Sequence, residues 1–142
     1  MEDIKLDCYA KLMHLCWKMK KQSRKDLANY GFAWNQYTVL KNIFPNESIT
    51  LSELSSRTFK DSSNLTSLVD FLEKQDLVIR TTDSHDRRSI RVELTEHGAK
   101  VRENTIAQHE DFIKSMFVNM NEGEIKDFIQ FLDMANSKIN LQ

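Results

Sequence analysis

Apolar side chains recur at helical spacing through the first part of the chain and predict two helices. The first is expected over about residues 3–29, which contain no helix breaker, and Gly31 follows its end. The second is expected over about residues 34–44, where Pro45 and Asn46 end it. Their apolar faces consist of Leu6, Tyr9, Leu12, Met13, Cys16 and Leu27 in the first helix, and of Tyr37, Leu40, Ile43 and Phe44 in the second.

The middle of the chain predicts a helix-turn-helix. Thr50 and Glu53 have the spacing of a capping box, in which each side chain accepts a hydrogen bond from the other residue's backbone amide. A short helix is expected to follow, to about Thr58. Asp61 or Ser62 can then cap another helix. The apolar face of this later helix is expected to consist of Leu65, Leu68, Val69 and Leu72. Two short helices joined by a tight polar turn are typical of a helix-turn-helix.

Two short strands are expected after these helices. Residues 77–79 are an apolar run, and residues 90–94 alternate between apolar and polar side chains, as a half-buried strand does. Residues 81–88 between them are too polar and charged to pack inside the protein. We therefore predict a hairpin with a long exposed tip, which is the form of a wing.

The remainder of the chain predicts two more helices. The pattern becomes helical again from Thr95, and Asn121 with Glu124 predicts a new helix start. Together with the earlier elements, this predicts an α+β fold that is mostly α, in a single domain over residues 1–142. The two apolar stripes are Val101, Thr105, Ile106, Phe112, Ile113, Met116, Phe117 and Met120, and then Ile125, Phe128, Ile129, Leu132, Ala135 and Ile139.

Composition is that of an ordinary globular protein, with 40% hydrophobic and 29% charged residues among 142. No apolar run approaches the roughly 20 residues that span a membrane, and the N-terminus is not a signal peptide, so we expect a cytoplasmic protein without a membrane partner. The net charge of −1 does not itself favour nucleic acid. Two basic runs still allow local phosphate binding, because screening limits each charge to about 8–10 Å: Lys18, Lys20, Lys21, Arg24 and Lys25, and then Arg80, Arg87, Arg88 and Arg91.

The helix expected after Asp61 has the side chains that base recognition needs. Sequence-specific binding by a helix-turn-helix requires one apolar face for docking and one small polar face for base edges. Arg87 and Arg88 in the wing suit the narrow minor groove, and Asp86 is expected to pair with one of them. The candidate DNA-binding residues are therefore Lys60, Ser62, Ser63, Asn64, Thr66, Ser67, Asp86, Arg87 and Arg88. The alternative for the first serines and the asparagine is a plain capping role.

Residues 51–54, 62–74 and 77–80 resemble the MarR family of transcriptional regulators. Residues 83–88, followed by Leu94-Thr95-Glu96-His97-Gly98, are similar to that family's wing signature and to its junction with the next helix. The strongest resemblance covers about residues 51–98. The sequence departs from the family at Asp76, where the family usually has Gly. Asp tolerates the left-handed conformation better than most residues, so the turn can be kept.

The resemblance implies a homodimer that binds a palindromic operator in double-stranded DNA and acts as a repressor. It places the DNA-binding lobe at about residues 33–98 and the dimerisation helices at about residues 1–30 and 99–142. One alternative is that the outer helices fold back on their own subunit. A rival function of another class is a winged-helix module that binds only proteins. Neither the residues nor the resemblance suggests an enzyme.

The family resemblance also implies a regulatory signal. A small phenolic or other aromatic effector would bind near Met13, His14, Trp17, Lys18 and Tyr37, with Lys18 as the partner of a carboxylate or phenolate; the alternative is that these are ordinary core residues. A second hypothesis is that oxidation or quinone modification of Cys8 or Cys16 is the signal. The competing interpretation is that these are small core residues, as free cysteines commonly are. The four histidines lack metal-site spacing, so no metal and no cofactor is expected.

Overall fold

The structure, a computed structural model, describes residues 3–58, 60, 62–82, 85, 86 and 89–141, without the side chains of Ser62 and Ser63. The predicted fold class is confirmed: the described chain is mostly helical with one small antiparallel sheet. None of its described helices is both long and apolar enough to cross a membrane. The elements in chain order are α1 (Ile4–Ala28), α2 (Trp34–Lys41), β1 (Ile49–Thr50), α3 (Leu51–Thr58), α4 (Ser62–Lys74), β2 (Val78–Thr82), β3 (Ile90–Leu94), α5 (Glu96–Ser115) and α6 (Glu122–Lys138).

The sheet has the order β1-β3-β2, and both strand pairs are antiparallel. The two-residue strand β1 was not predicted, because two residues are too few to show a period. It pairs Ile49 with Val92 in β3. Strand β2 begins after Leu77 and continues to Thr82, so the expectation that Thr81 and Thr82 belong to the wing tip was wrong. These two threonines lie opposite β3 in the ladder, where hydrogen bonding to the neighbouring strand satisfies polar backbone.

The core lies where α2, α3 and α4 pack on the sheet and on the end of α1. Both hydrophobic periods contribute to it, with the helical face of α4 and the inward residues of β2 and β3 meeting in one cluster. The predicted inner face of α4 is confirmed, since Leu65, Val69 and Leu72 are fully buried and Leu68 packs against the cluster. The other buried apolar residues are Leu27, Phe32, Tyr37, Val39, Leu40, Ile43, Ile49, Leu54, Leu77, Val78 and Val92.

Helix α2 is shorter than predicted. It ends at Lys41, and the chain turns before Pro45, with Asn46 in the left-handed region at φ 62°. Ile43 remains buried, but Phe44 is 45% exposed, so its assignment to the buried face was wrong. Phe44 would lie on that face only if the helix continued through position 44, and the helix ends before it.

Three local predictions about helix ends and turns are confirmed. The Glu53 amide donates to Thr50 Oγ1 over 3.1 Å, and the Thr50 amide donates to Glu53 Oε2 over 3.3 Å. Asn121 and Glu124 form the corresponding box at the start of α6. Asp76 takes the left-handed conformation with φ 59°, as expected for a residue in place of glycine. These features depend on neighbouring residues, and local sequence is enough to predict them.

Helix α6 has no buried residue in the single chain. Its predicted apolar stripe is present but uncovered, with Phe128, Ile129 and Leu132 all exposed. The preceding helix α5 ends at Ser115, so Met116, Phe117 and Met120 lie in a turn and do not extend the first stripe. Exposed apolar residues also cover the first half of α1: Ile4, Leu6, Tyr9, Leu12, Met13, Leu15 and Trp17.

Gly98, in the first turn of α5, lets that helix closely approach the backbone of Leu77, just before β2. A Cβ atom at position 98 would lie 1.8 Å from the carbonyl oxygen of Leu77. The neighbouring Thr95 caps α5 through the Gly98 amide, and its hydroxyl also donates to the carbonyl of Asp76 over 2.6 Å. The junction between wing and α5 is therefore a contact between backbones, which no larger residue fits.

Gly98→Ala is expected to lower the free energy of unfolding by about 2–3 kcal/mol, because backbone must move to admit the methyl group. Gly123→Ala is the matched control, since its Cβ would meet only the Asn121 side chain, at 3.3 Å. Urea unfolding followed by circular dichroism measures both variants. Equal stability of Gly98→Ala and the wild-type protein would contradict the tight junction.

Candidate DNA-binding surface

Helix α4 separates an apolar face from a polar face. Leu65, Val69 and Leu72 have no exposed surface and fix the helix on the core. Asn64, Thr66 and Ser67 are exposed on the other side. Because the buried leucines fix the rotation of the helix about its axis, the polar side chains must face solvent. The helix presents short donors and acceptors of the kind that reach base edges.

The turn before α4 is fixed to both neighbouring helices. Lys60 Nζ donates to Asn35 Oδ1 in the first turn of α2 over 2.8 Å. The carbonyl oxygen of Lys60 accepts a hydrogen bond from the Ser55 hydroxyl of α3. Lys60 is therefore a half-buried, anchored cation at the start of the polar face. The structure begins α4 at Ser62, while the predicted roles of the Ser62 and Ser63 side chains lie outside the described residues.

The predicted wing is present as the β2–β3 hairpin, and only part of its tip is described. Asp86 is exposed, and its carbonyl oxygen accepts from the Ser89 amide over 3.0 Å. Arg87 and Arg88 lie outside the described residues, and so does the predicted pairing of Asp86 with one of them. The hairpin is the next element in the chain after α4.

Arg80 in β2 connects the wing to α4. Its Nη2 atom donates to Glu73 Oε1 over 3.2 Å and also to Asp70. The hydrogen bond to Glu73 is the largest cause that raises the pKa of Arg80 above its ordinary value. Arg80 compensates one of the two negative charges of these carboxylates, which lie on the helix that carries the polar face. Repulsion between that helix and a polyanion is therefore reduced.

A buried polar contact joins the two outer helices α1 and α5 beside the core. His109 Nδ1 of α5 lies 2.8 Å from Asp26 Oδ2 of α1, and both residues are almost fully buried. The Tyr37 ring of α2 meets the His109 ring edge-on, with 5.2 Å between ring centroids. Burial raises the pKa of the Tyr37 hydroxyl, and the charge of Glu110 raises it further. Three helices are thus joined at one polar point.

The proposed effector residues do not all come together. His14 and Trp17 stack on α1 with 6.2 Å between ring centroids, and the Lys21 ammonium lies 4.9 Å from the Trp17 ring. Met13 and Lys18 are exposed on the same helix. Tyr37 instead packs on His109 in the core. The alternative interpretation as ordinary core residues holds for Tyr37 but not for Met13, His14 and Trp17 in the single chain, since these three are exposed.

The two cysteines are free, with Cys8 exposed and Cys16 half-buried. Cys8 lines an apolar groove of about 420 Å³ between the start of α1 and the end of α6, together with Ile4, Tyr9, Leu12 and Ile139. Lys5 also contributes to this groove. Among the described residues, no group of three or more His, Cys, Asp or Glu side chains could hold a metal ion.

Comparison with known proteins identifies the family. A profile described as the MarR family matches residues 32–90. The helix-turn-helix-type transcriptional regulator SarZ of Staphylococcus aureus is 34% identical over 112 residues, covering 79% of this chain and 74% of SarZ. The chain belongs to the MarR family. The regulator YsmB of Bacillus subtilis is 28% identical over 122 residues, covering 86% of this chain and 84% of YsmB.

Solved structures share the fold along nearly the whole chain. The MarR-family regulator AbsC of Streptomyces coelicolor superposes with a TM-score of 0.80 at 22% identity, covering 96% of this chain and 95% of AbsC. A mutant MarR of E. coli complexed with operator DNA superposes at 0.76 and 22% identity, covering 94% of this chain and 99% of MarR. The matched relatives are transcriptional regulators and not enzymes.

Sequence reasoning about this MarR-family chain missed the side chains that connect its elements. Arg80 was grouped with the basic wing residues, whereas it pairs with carboxylates of α4. Asp26 and His109 are 83 positions apart, and no spacing rule relates them. The available signal was chemical: an aspartate and a histidine on otherwise apolar faces need partners when they are buried.

Proposed function

We propose that this MarR-family chain binds a palindromic operator in duplex DNA as a homodimer and represses transcription. The observation that carries the proposal is the orientation of α4: its apolar side chains are buried in the core, and Asn64, Thr66 and Ser67 are exposed on the other side. In this mode α4 enters the major groove and its short polar side chains read base edges. The helix amides at its start then face phosphate.

The wing supplies the second contact in this proposal. Arg87 and Arg88 enter the neighbouring minor groove, where the electrostatic potential is most negative. Lys60, anchored on Asn35, contacts phosphate at the edge of the site. The acidic balance of the whole chain does not oppose this arrangement, because Arg80 pairs with Asp70 and Glu73 of α4 and screening limits the reach of more distant charges.

A second copy of the chain covers α6 and the first half of α1 in the proposed dimer. The support is the amount of apolar surface there: α6 has no buried residue, and Phe131 is 65% exposed. Monomeric soluble proteins seldom leave apolar patches of this extent uncovered. The dimerisation helices would then be residues 1–30 and 99–142, and the DNA-binding lobe residues 33–98. The MarR of E. coli, whose fold this chain shares, is complexed with operator DNA.

The alternative function is that of a winged-helix module that binds only proteins. The dependence of affinity on salt concentration distinguishes this function from DNA binding. Phosphate contacts release counterions, so DNA affinity falls steeply as salt rises. Docking of the polar face on another protein gives no such slope and no base preference.

We expect selection from random duplexes to enrich an inverted repeat, which the protein binds at nanomolar concentration. Thr66→Ala should reduce discrimination at one base position about threefold to tenfold, because one base-edge contact is lost. Arg88→Ala should weaken binding to all sequences and reduce the salt slope by about one. Fluorescence anisotropy over a salt series measures both effects.

Lys114→Ala is the control for the same assay. It removes one positive charge near the end of α5, about 25 Å along the helix from the wing junction, and it should leave both affinity and slope unchanged. Enrichment of no palindrome, or identical behaviour of Arg88→Ala and Lys114→Ala, would contradict the proposed mode of binding.

The proposed signal is a small aromatic effector, with Met13, His14, Trp17 and Lys18 as its contacts. A thiol switch is the second candidate, favoured by the exposed Cys8 in an apolar groove between two proposed dimerisation helices. Modification of Cys8 would add polar or bulky atoms inside that interface, and the positions of the two recognition helices would change with it.

The two signals are separated by adding each to the preformed DNA complex. A hydroxybenzoate should release the DNA from the wild-type protein, and Trp17→Ala should require a higher concentration. Under the thiol alternative, hydrogen peroxide releases the DNA and Cys8→Ser abolishes the effect, while Cys16→Ser keeps it. A complex that neither compound affects would exclude both signals for these probes.

A further inference from the structure

Two arginines from different parts of the fold lie over the Phe44 ring. Its ring is 4.4 Å from the Arg57 Cζ atom of α3 and 5.6 Å from the Arg102 Cζ atom of α5, measured to the ring centroid. A guanidinium placed over an aromatic face is attracted by the ring's negative charge distribution. We call these three residues the ring clamp. It accounts for an exposed phenylalanine that would otherwise have no reason to lie at the surface.

On the side of the DNA-binding lobe, Arg57 is held by several partners. Its Nη1 atom donates to the Asn42 carbonyl over 2.7 Å and to Glu47 Oε1 over 2.5 Å. Burial by itself would raise the pKa of the Glu47 carboxyl, but hydrogen bonds from Arg57 and from the Phe44 amide keep the pKa below its ordinary value. Glu47 is thus a stable anion that fixes the guanidinium under the ring.

On the side of α5, Arg102 holds the end of α2. Its Nε and Nη2 atoms both donate to the Lys41 carbonyl, over 3.2 and 2.7 Å. Lys41 is the last residue of α2, where unpaired carbonyls and the helix dipole favour a cation. One side chain of α5 therefore contacts both the end of α2 and the ring that Arg57 supports.

The clamp adds a second point of attachment to the Gly98 junction. Gly98 fixes the start of α5 against Leu77, and Arg102 lies one turn further, about 6 Å along the axis. One contact leaves a helix free to pivot, whereas two contacts on the same element fix its direction. Tyr37 also reaches α5 at His109, but through the core, whereas the hydrogen bonds of Arg102 are at the surface.

We propose that Arg102 is a positioning residue for DNA recognition: through the ring clamp it sets the direction of α5 relative to the helix-turn-helix, and thereby the separation of the two recognition helices in the dimer. The inference rests on the proposed function, since it concerns the geometry of a dimer on a palindrome. Half-sites on one face of the duplex are about 34 Å apart, and one added base pair turns a half-site by about 35°. A loosened α5 axis would tolerate such changes.

The experiment compares affinities for duplexes in which the selected half-sites are moved apart or together by one and two base pairs. The wild-type protein should lose about tenfold or more in affinity for a shift of one base pair, because rigid half-sites must match the groove repeat. Arg102→Ala should lose less than about threefold for the same shift, with weaker binding at the best spacing. Phe44→Leu should give the same flattened profile without any change of charge.

Lys100→Ala is the matched control, because it removes one cation from the same helix at an exposed position whose ion pair is with Glu96. It should keep the wild-type spacing profile. Spin labels at Gln75→Cys, in a chain carrying Cys8→Ser and Cys16→Ser, provide a readout without DNA. The label-to-label distance distribution in the dimer should broaden with Arg102→Ala and stay narrow with Lys100→Ala.

The outcomes distinguish a failure of the inference about Arg102 from a failure of the proposed function. A uniform loss of affinity in Arg102→Ala, with the spacing profile and the distance distribution both unchanged, would show a merely stabilising role and overturn the inference while leaving DNA binding intact. Failure of the wild-type protein to bind any selected palindrome would overturn the proposed function, and the inference about spacing with it. A flattened profile in both clamp variants and a wild-type profile in the control would support it.

Discussion

The burial of one side of α4 is the constraint on which the candidate DNA-binding surface depends. Leu65, Val69 and Leu72 have no exposed surface, so rotation of the helix would remove three large side chains from the core. Each such side chain stabilises the fold by roughly 1.5–3 kcal/mol. The polar residues on the opposite side are therefore held at the surface in one orientation. Recognition by short side chains requires this rigidity, because serine and threonine cannot reach far to compensate for a displaced helix.

A second constraint concerns how the lobe is joined to the long helices. Apolar side chains of the long helices pack against the core cluster, among them Leu27, Val101 and Ile106. Polar and close contacts add to this packing at particular points: the backbone contact at Gly98, the cluster of Tyr37, His109 and Asp26, and the guanidinium groups around Phe44. Directional contacts of this kind help to fix the angle between the lobe and the long helices. A ligand or a modification near them could shift the angle.

The sequence was sufficient where structure depends on neighbours in the chain. The capping boxes at Thr50 and Asn121, the inner face of α4 and the left-handed Asp76 all follow from spacing and local sterics, and the structure contains them. It was insufficient where a side chain acts across the fold. Phe44 was assigned to the buried face because its spacing fits the helical period, and that period does not show that α2 ends at Lys41.

The candidate site divides in the same way. Asn64, Thr66 and Ser67 could be identified because a helix shows its polar face in the sequence. The partners of Arg80 and Arg102 could not, since a basic residue near a wing or on a helix has the same local pattern whether it contacts phosphate, a carboxylate or a helix end. Only the three-dimensional structure shows which of these groups a given arginine contacts.

In the proposed mode of binding, two copies of this MarR-family chain read one palindrome through α4. Sedimentation of the protein with a duplex carrying a single selected inverted repeat tests it most directly. We expect a complex of two chains on one duplex, and a much weaker complex when the sequence of one half-site is scrambled. A complex of one chain per duplex, with affinity unchanged by scrambling a half-site, would contradict it.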